Sequence, residues 1–270
     1  MSAKIGPSPD NVVLGAGEIF INRFDSDGVE TGYFHLGNSD DVRAVVTTEE
    51  LIMKNAMRAA RGIYKRVIKE TAVELKIRNF EFNPVNMALL YMGDVAQTAQ
   101  AGAVVTSEPL TPAGGLIKGR FYTTAQRAIS AVTVEKGATP LVVADDYVIK
   151  DPARGFIQIL EDATLVGLAD GDDLTIDYTS AALTGATALD YIRAANNPRI
   201  EAKILFISDN QAGPNWEYEF WNVNLKPDGE VALIGEDWAS WNLSGSAQDD
   251  SVGAHGGSAD EPFFRKTFRS

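Results

Sequence analysis

Nearly every apolar run in this 270-residue chain is the length of a β-strand and stops at Gly, Asp, Asn or Pro. That punctuation suits a protein built from short paired strands. The runs fall at residues 18–24, 42–47, 67–77, 131–135, 155–160, 174–178, 200–207, 216–225 and 230–234. In the longest, alternation puts Val67, Thr71, Val73, Leu75 and Ile77 on one face and Glu70, Glu74, Lys76 and Arg78 on the other. One face packs; the other meets water or a second subunit.

One helix is signalled clearly. Asn83 is a good N-cap, Pro84 suits the first helical position, Leu89, Leu90 and Tyr91 follow, and Gly93 stops the run. A second segment is ambiguous. Thr47 and Glu50 have capping-box spacing ahead of Met53, Ala56, Met57 and Ala60, with Gly62 as terminator. Strand-like residues flank it closely, so residues 48–61 read either as a helix or as a long exposed loop. Stretches rich in Ala, Gly, Thr and Ser at 97–112 and 180–188 read as linkers around short strands and acidic turns. The expected fold is therefore mainly β, a β-sandwich with one packed α-helix plus an inserted small β subdomain. Residues 1–100 and 186–250 form the discontinuous sandwich, 101–185 the insert and 251–270 a flexible C-terminal tail.

Chemistry finds little to stand on. With no cysteine there are no disulfides, thiolate nucleophiles, iron–sulfur clusters or cysteine zinc sites. Only His35 and His255 are present, and no Gly-x-Ser-x-Gly elbow accompanies either. Gly15-Ala16-Gly17 lacks the third glycine of a phosphate loop and precedes a strand, so it reads as a turn. Asp25-Ser26-Asp27-Gly28 and Asp170-Gly171-Asp172-Asp173 lack the full calcium-loop spacing and read as turns between strands. The expectation is a protein that is not an enzyme, with no catalytic, cofactor-binding or metal-binding residues. Residues 1–10 carry no apolar stretch of signal-peptide length, and the longest apolar patch, 87–92, is far short of a membrane span.

Charge is more informative. Twenty-four Lys and Arg against 37 Asp and Glu give a net charge of −13, which disfavours a general binder of nucleic acid or anionic membrane. Residues 43–78 depart from that average. They hold nine basic and four acidic side chains, a net of +5 that leaves −18 elsewhere. A basic segment on an acidic body is either a solvated face or a surface for self-association. The second reading makes Lys54, Arg58, Arg61, Lys65 and Arg66 contacts between copies.

Four segments carry a resemblance: "LGAGEIFINRFD" at 14–25, "FHLGNSDDVRAVVTTEE" at 34–50, "FEFNPVNMALLYMGD" at 80–94 and "ISDNQAGPNWEYEFWNVNLKPDGEVALIGEDWASWNLSGSAQDD" at 207–250. In order and spacing the chain resembles the tail tube (major tail) proteins of long-tailed bacteriophages. The resemblance covers residues 12–95 and 198–250; residues 106–178 have no part in it, and 53–61 are more basic and helix-like than the family pattern. It implies a virion protein, made in the bacterial host cytoplasm, that forms stacked hexameric rings and a hollow tube for DNA. Implied partners are the protein itself and the tail terminator, baseplate or tip and tape-measure proteins, with DNA passing without sticking and no membrane. Glu70, Glu74, Glu217 and Glu219, by alternation, would face the lumen of such a tube. The competing expectation is a virion decoration or a host- or carbohydrate-binding β module, suggested by Trp216, Trp221, Trp238 and Trp241.

Overall fold

The computed structural model describes residues 6–57, 59 and 61–269. In chain order the elements begin with β1 (Gly17–Phe24), β2 (Glu30–His35), β3 (Ser39–Lys54), β4 (Ile63–Asn79), helix α1 (Pro84–Leu90) and β5 (Asp94–Thr98). Then come β6 (Ala103–Pro109), β7 (Phe121–Thr123), β8 (Ile129–Lys136), β9 (Thr139–Pro140), β10 (Tyr147–Asp151), β11 (Phe156–Ile159) and β12 (Thr175–Ser180). The last are β13 (Leu189–Arg193), β14 (Ile200–Ser208), β15 (Asn215–Pro227), β16 (Trp241–Ala247) and β17 (Phe264–Arg269). The chain divides into two units, one of residues 1–95 and 192–270, the other of residues 96–191.

The first unit is built on one sheet in the order β2-β1-β14-β15-β16-β4-β3, with β17 also on β15. β15 is long enough to serve two partners along one edge. Its residues 223–227 pair with β16 and its residues 215–220 pair with β17, so the sheet forks. Ile19, Ile21 and Ile204 share one buried cluster with Leu75, Ile77, Phe220, Val223 and Trp241. Strands far apart in the sheet order thus bury a common core, and the fold is a β-sandwich with a single α-helix among the described residues. α1 caps this core as the sequence predicts: Asn83 Oδ1 accepts from the Asn86 N–H at 2.8 Å, and Ala88, Leu89 and Leu90 are buried. Two buried amides, Asn79 and Asn86, both donate to the Leu36 carbonyl, at 3.0 and 2.8 Å, and the Trp241 indole N–H donates to the Glu81 carbonyl at 3.0 Å. These bonds tie the α1 connection to the sandwich.

Four expectations need correction. Residues 48–54 continue β3, and of the rest of 48–61 the described residues 55–57, 59 and 61 form the irregular connection to β4. β3 and β4 pair from Ser39 opposite Asn79 to Lys54 opposite Ile63, with shifts after Ser39, Glu49 and Met53, because the β-branched flanks find each other across the hairpin. Within that hairpin the pairing shifts: Glu49 lies opposite Glu70, but Glu50 lies opposite Ile68, leaving Lys69 as a bulge. A bulge moves the residues beyond it to the other face until the next shift, which here comes at Tyr64. Val67, opposite Leu51, therefore shares a face with Glu70 and not with Thr71 and Val73. Residues 230–234 form no strand and belong to an exposed connection. Nor do the described residues 251–269 of the expected tail behave as a flexible one. Asp250, 3% exposed, accepts from the backbone N–H groups of Ala254, His255 and Gly257, and residues 264–269 form β17 on β15.

The second unit has the sheets β6-β12-β8-β9 and β10-β11-β7 around a core that includes Leu116, Tyr147, Ile157, Ile159, Leu174, Ile176 and Tyr178. Asp146 is the polar centre of this core, 1% exposed. Burial pushes its carboxyl up, but N–H bonds from Val142 at 2.7 Å, Leu165 at 2.9 Å and Thr164 at 2.7 Å outweigh that and hold it below the usual carboxylate range. The sign follows. A depressed folded pKa adds stability above the unfolded value, about 4, and the gain is lost as pH falls through the folded value. Asp146→Asn turns an amide N–H toward a buried backbone N–H and should cost about 1–3 kcal/mol. Hydrogen exchange across 142–165 should accelerate in that variant at pH 7; unchanged protection would refute the assignment.

Candidate assembly surface

The β3–β4 hairpin is supported by the sheet only at its base. Val73, Leu75 and Ile77 are buried beside β16, whereas every residue from Ile63 to Thr71 is exposed. β16 reaches no farther than Val73, so among the described residues the distal hairpin is a two-stranded ribbon with no third strand. Such a ribbon is at best marginal alone in water. Its closure is local: the Asn55 N–H donates to the Gly62 carbonyl at 2.7 Å, and Asn55 Oδ1 accepts from the Met57 N–H at 2.9 Å.

The side chains of this arm are not those of a solvated face. Leu51 is 67% exposed and Met57 77%, and Ile52, Met53, Ile63, Tyr64, Val67 and Ile68 are exposed beside them. An apolar surface of this kind marks an interaction site. Residues 51–69 also contain six basic side chains (Lys54, Arg58, Arg61, Lys65, Arg66, Lys69) and no acidic one. The arm thus carries +6 and the rest of the chain −19, from −13 minus +6.

The structure brings together four of the five predicted basic contacts on this ribbon: Lys54 is paired with Ile63, Lys65 with Met53 and Arg66 with Ile52, while Arg61 lies in the connecting turn. Arg58 lies outside the described residues. Arg66 is committed to Glu50 at 3.2 Å, and Lys69 to Glu49 at 3.0 Å. Among the described residues Lys54, Arg61 and Lys65 make no ion pair.

The predicted acidic residues do not form one group. Glu70 and Glu74 share the face of β4 that points away from the core, Glu70 opposite Glu49 and Glu74 between Val45 and Ser246. Glu217 and Glu219 share the outward face of β15 along its β17 half, and Arg265 holds Glu219 at 2.7 Å. β16 stands between β4 and β15, and the two pairs sit on separate branches of the fork.

Other sequence candidates are occupied structurally. His35 Nδ1 accepts from the Gly37 N–H at 2.9 Å, and His255 stacks on Phe24 at 4.2 Å. Asp25 Oδ1 accepts from the N–H groups of Asp27 and Val29, and Asp172 pairs with Lys136 at 2.6 Å. Gly17 opens β1, where a Cβ would meet the Ile207 carbonyl at 2.5 Å, so this glycine serves close strand approach. Among the described residues no three His, Asp or Glu side chains converge as a metal site, and no helix is long and apolar enough to cross a membrane. A cleft of about 380 Å³ opens in the sandwich, lined in part by Phe206, Trp216, Tyr218 and Phe220. Its rim carboxylates are spent: Asp41 pairs with Arg43 at 2.7 Å, and the bond from Arg78 holds Asp40 below the usual carboxylate range.

The family model described as "Protein of unknown function UCP028589" matches residues 12–259. The chain belongs to this family. The UCP028589 match takes in both units, the arm and the connection between β15 and β16, and stops before β17. A comparison with curated proteins finds no match.

Proposed function

We propose that the protein is a structural component that assembles with copies of itself into stacked rings, six-membered as in tail tube proteins, forming a phage tail tube through which DNA passes. The observation that carries this reading is the arm, a cationic, apolar ribbon on an otherwise acidic chain, with no third strand among the described residues to cover it. Self-association gives such a ribbon a partner surface, and the opposite net charge of the remaining chain supplies attraction. In this reading Lys54, Arg58, Arg61, Lys65 and Arg66 act between copies. Glu70 and Glu74, together on the outward face of β4, line the bore and repel phosphate, whereas Glu217 and Glu219, on the other branch with Glu219 held by Arg265, are left out of that lining. The tail terminator, baseplate or tip and tape-measure proteins are the further partners, and the protein resides in the virion.

The competing host- or carbohydrate-binding reading loses its aromatic platform. Trp221 and Trp241 are buried, and Trp216 packs edge-on to Phe268, leaving Trp238 alone fully presented. Negative-stain microscopy of the concentrated protein should show rings or hollow tubes. A chain that sediments as a monomer at every concentration would overturn the proposal.

A further inference from the structure

The arm has a counterpart of opposite charge. The connection between β15 and β16, residues 228–240, carries Asp228, Glu230, Glu236 and Asp237 and no Lys or Arg. Its apolar residues face water: Leu233 is 85% exposed, Ile234 96% and Trp238 92%. The base of this loop is tethered, since the Asp228 N–H donates to the Asn242 carbonyl at 3.0 Å, Lys76 lies 3.7 Å from the Asp228 carboxylate, and Val231 packs on the core. What it presents outward is an acidic, apolar tip.

Position decides what this tip can meet. β16 begins with Trp241 opposite Asn79 and ends with Ala247 opposite Val73. The loop therefore leaves the sheet at the Asn79 end of β4, and the arm leaves at the Val73 end. β4 is 17 residues long, so the turn of the arm lies about 50 Å of strand away from the loop. Within one chain the two cannot touch. Two copies aligned head to tail can bring them together.

We propose that the arm of one copy docks on the 228–240 loop of the next, its basic side chains against Glu230, Glu236 and Asp237 and its apolar face against Leu233, Ile234 and Trp238. This rests on the self-assembly reading and names its contact. Because the two surfaces differ, each docking leaves a free arm at one end and a free loop at the other, so the contact propagates. It is the kind of contact that stacks one ring on another.

The test uses the full chain in two variants. Glu230→Lys/Glu236→Lys/Asp237→Lys makes the loop basic, and Lys54→Glu/Arg61→Glu/Lys65→Glu makes the arm acidic. Each alone should raise the concentration needed for assembly about tenfold or more, because like charges then face each other. Mixed in equal amounts they should co-assemble near the wild-type concentration, since each altered surface meets its complement. Trp238 emission should shift to the blue when wild-type protein assembles, and Trp238→Phe should lose that change. Assembly of the basic-loop variant at the wild-type concentration, failure of the mixture, or assembly of the wild type without the Trp238 shift overturns the docking and leaves self-assembly standing. A wild-type chain that never assembles overturns both.

Discussion

A chain in which residues 49–70 are replaced by Asn-Gly should stay folded and fail to assemble. Thr48 and Thr71 lie opposite each other in the hairpin, so a two-residue turn can join them without disturbing the register that buries Val73, Leu75 and Ile77. The removed residues contribute nothing to either hydrophobic core. Monomer stability should therefore change little. Assembly should change greatly, because the excised ribbon holds eight exposed apolar side chains and six basic ones. Burial of only two such apolar side chains at an interface is worth about 3–6 kcal/mol, which is more than a hundredfold in affinity. Sedimentation and negative-stain microscopy of the shortened chain check this. Rings or tubes formed at the wild-type concentration would remove the arm from the assembly mechanism.

Trp241→Ala should have the largest effect on the monomer. Trp241 is fully buried, starts β16 opposite Asn79 and donates its indole N–H to the Glu81 carbonyl, so one side chain fastens the sheet to the α1 connection. Its truncation leaves a large cavity, costing about 3–5 kcal/mol. The Glu81 carbonyl keeps its bond from the Asn86 amide at 3.1 Å, so the lost indole bond adds about 0.5–1.5 kcal/mol. Against a typical total of about 5–15 kcal/mol, much of the first unit's stability is lost. Trp238→Ala is the control: that side chain is 92% exposed and should cost the monomer no more than about 0.5 kcal/mol. Denaturant titration followed by hydrogen exchange in 73–92 would separate the two, and similar midpoints for both variants would contradict the role given to Trp241.

Much of the architecture was legible locally. The Asn83-Pro84 start of α1 is a capping signal whose chemistry lies in the residues themselves, and it appears as written. The alternation of Val73, Leu75 and Ile77 likewise names the buried face of β4 without reference to any neighbour. So does the gathering of positive charge between 51 and 69, which is a property of the chain and not of its folding.

Pairing is another matter. Residues 48–54 open a segment whose composition is compatible with a helix, and only the partner strand from Ile63 to Asn79 makes them part of a ribbon. The bulge at Lys69 reverses the face of Val67, and no local pattern announces it, since register belongs to two strands at once. Phe264–Arg269 is a strand only because β15 is longer than β16 and leaves an edge open for it. The sequence by itself determined the capped start of α1, the buried face of β4 and charge segregation, because those follow from neighbouring residues. Tertiary structure alone decided that the basic arm and the acidic loop leave opposite ends of β4, because direction in a sheet is set by pairing between residues far apart in the chain.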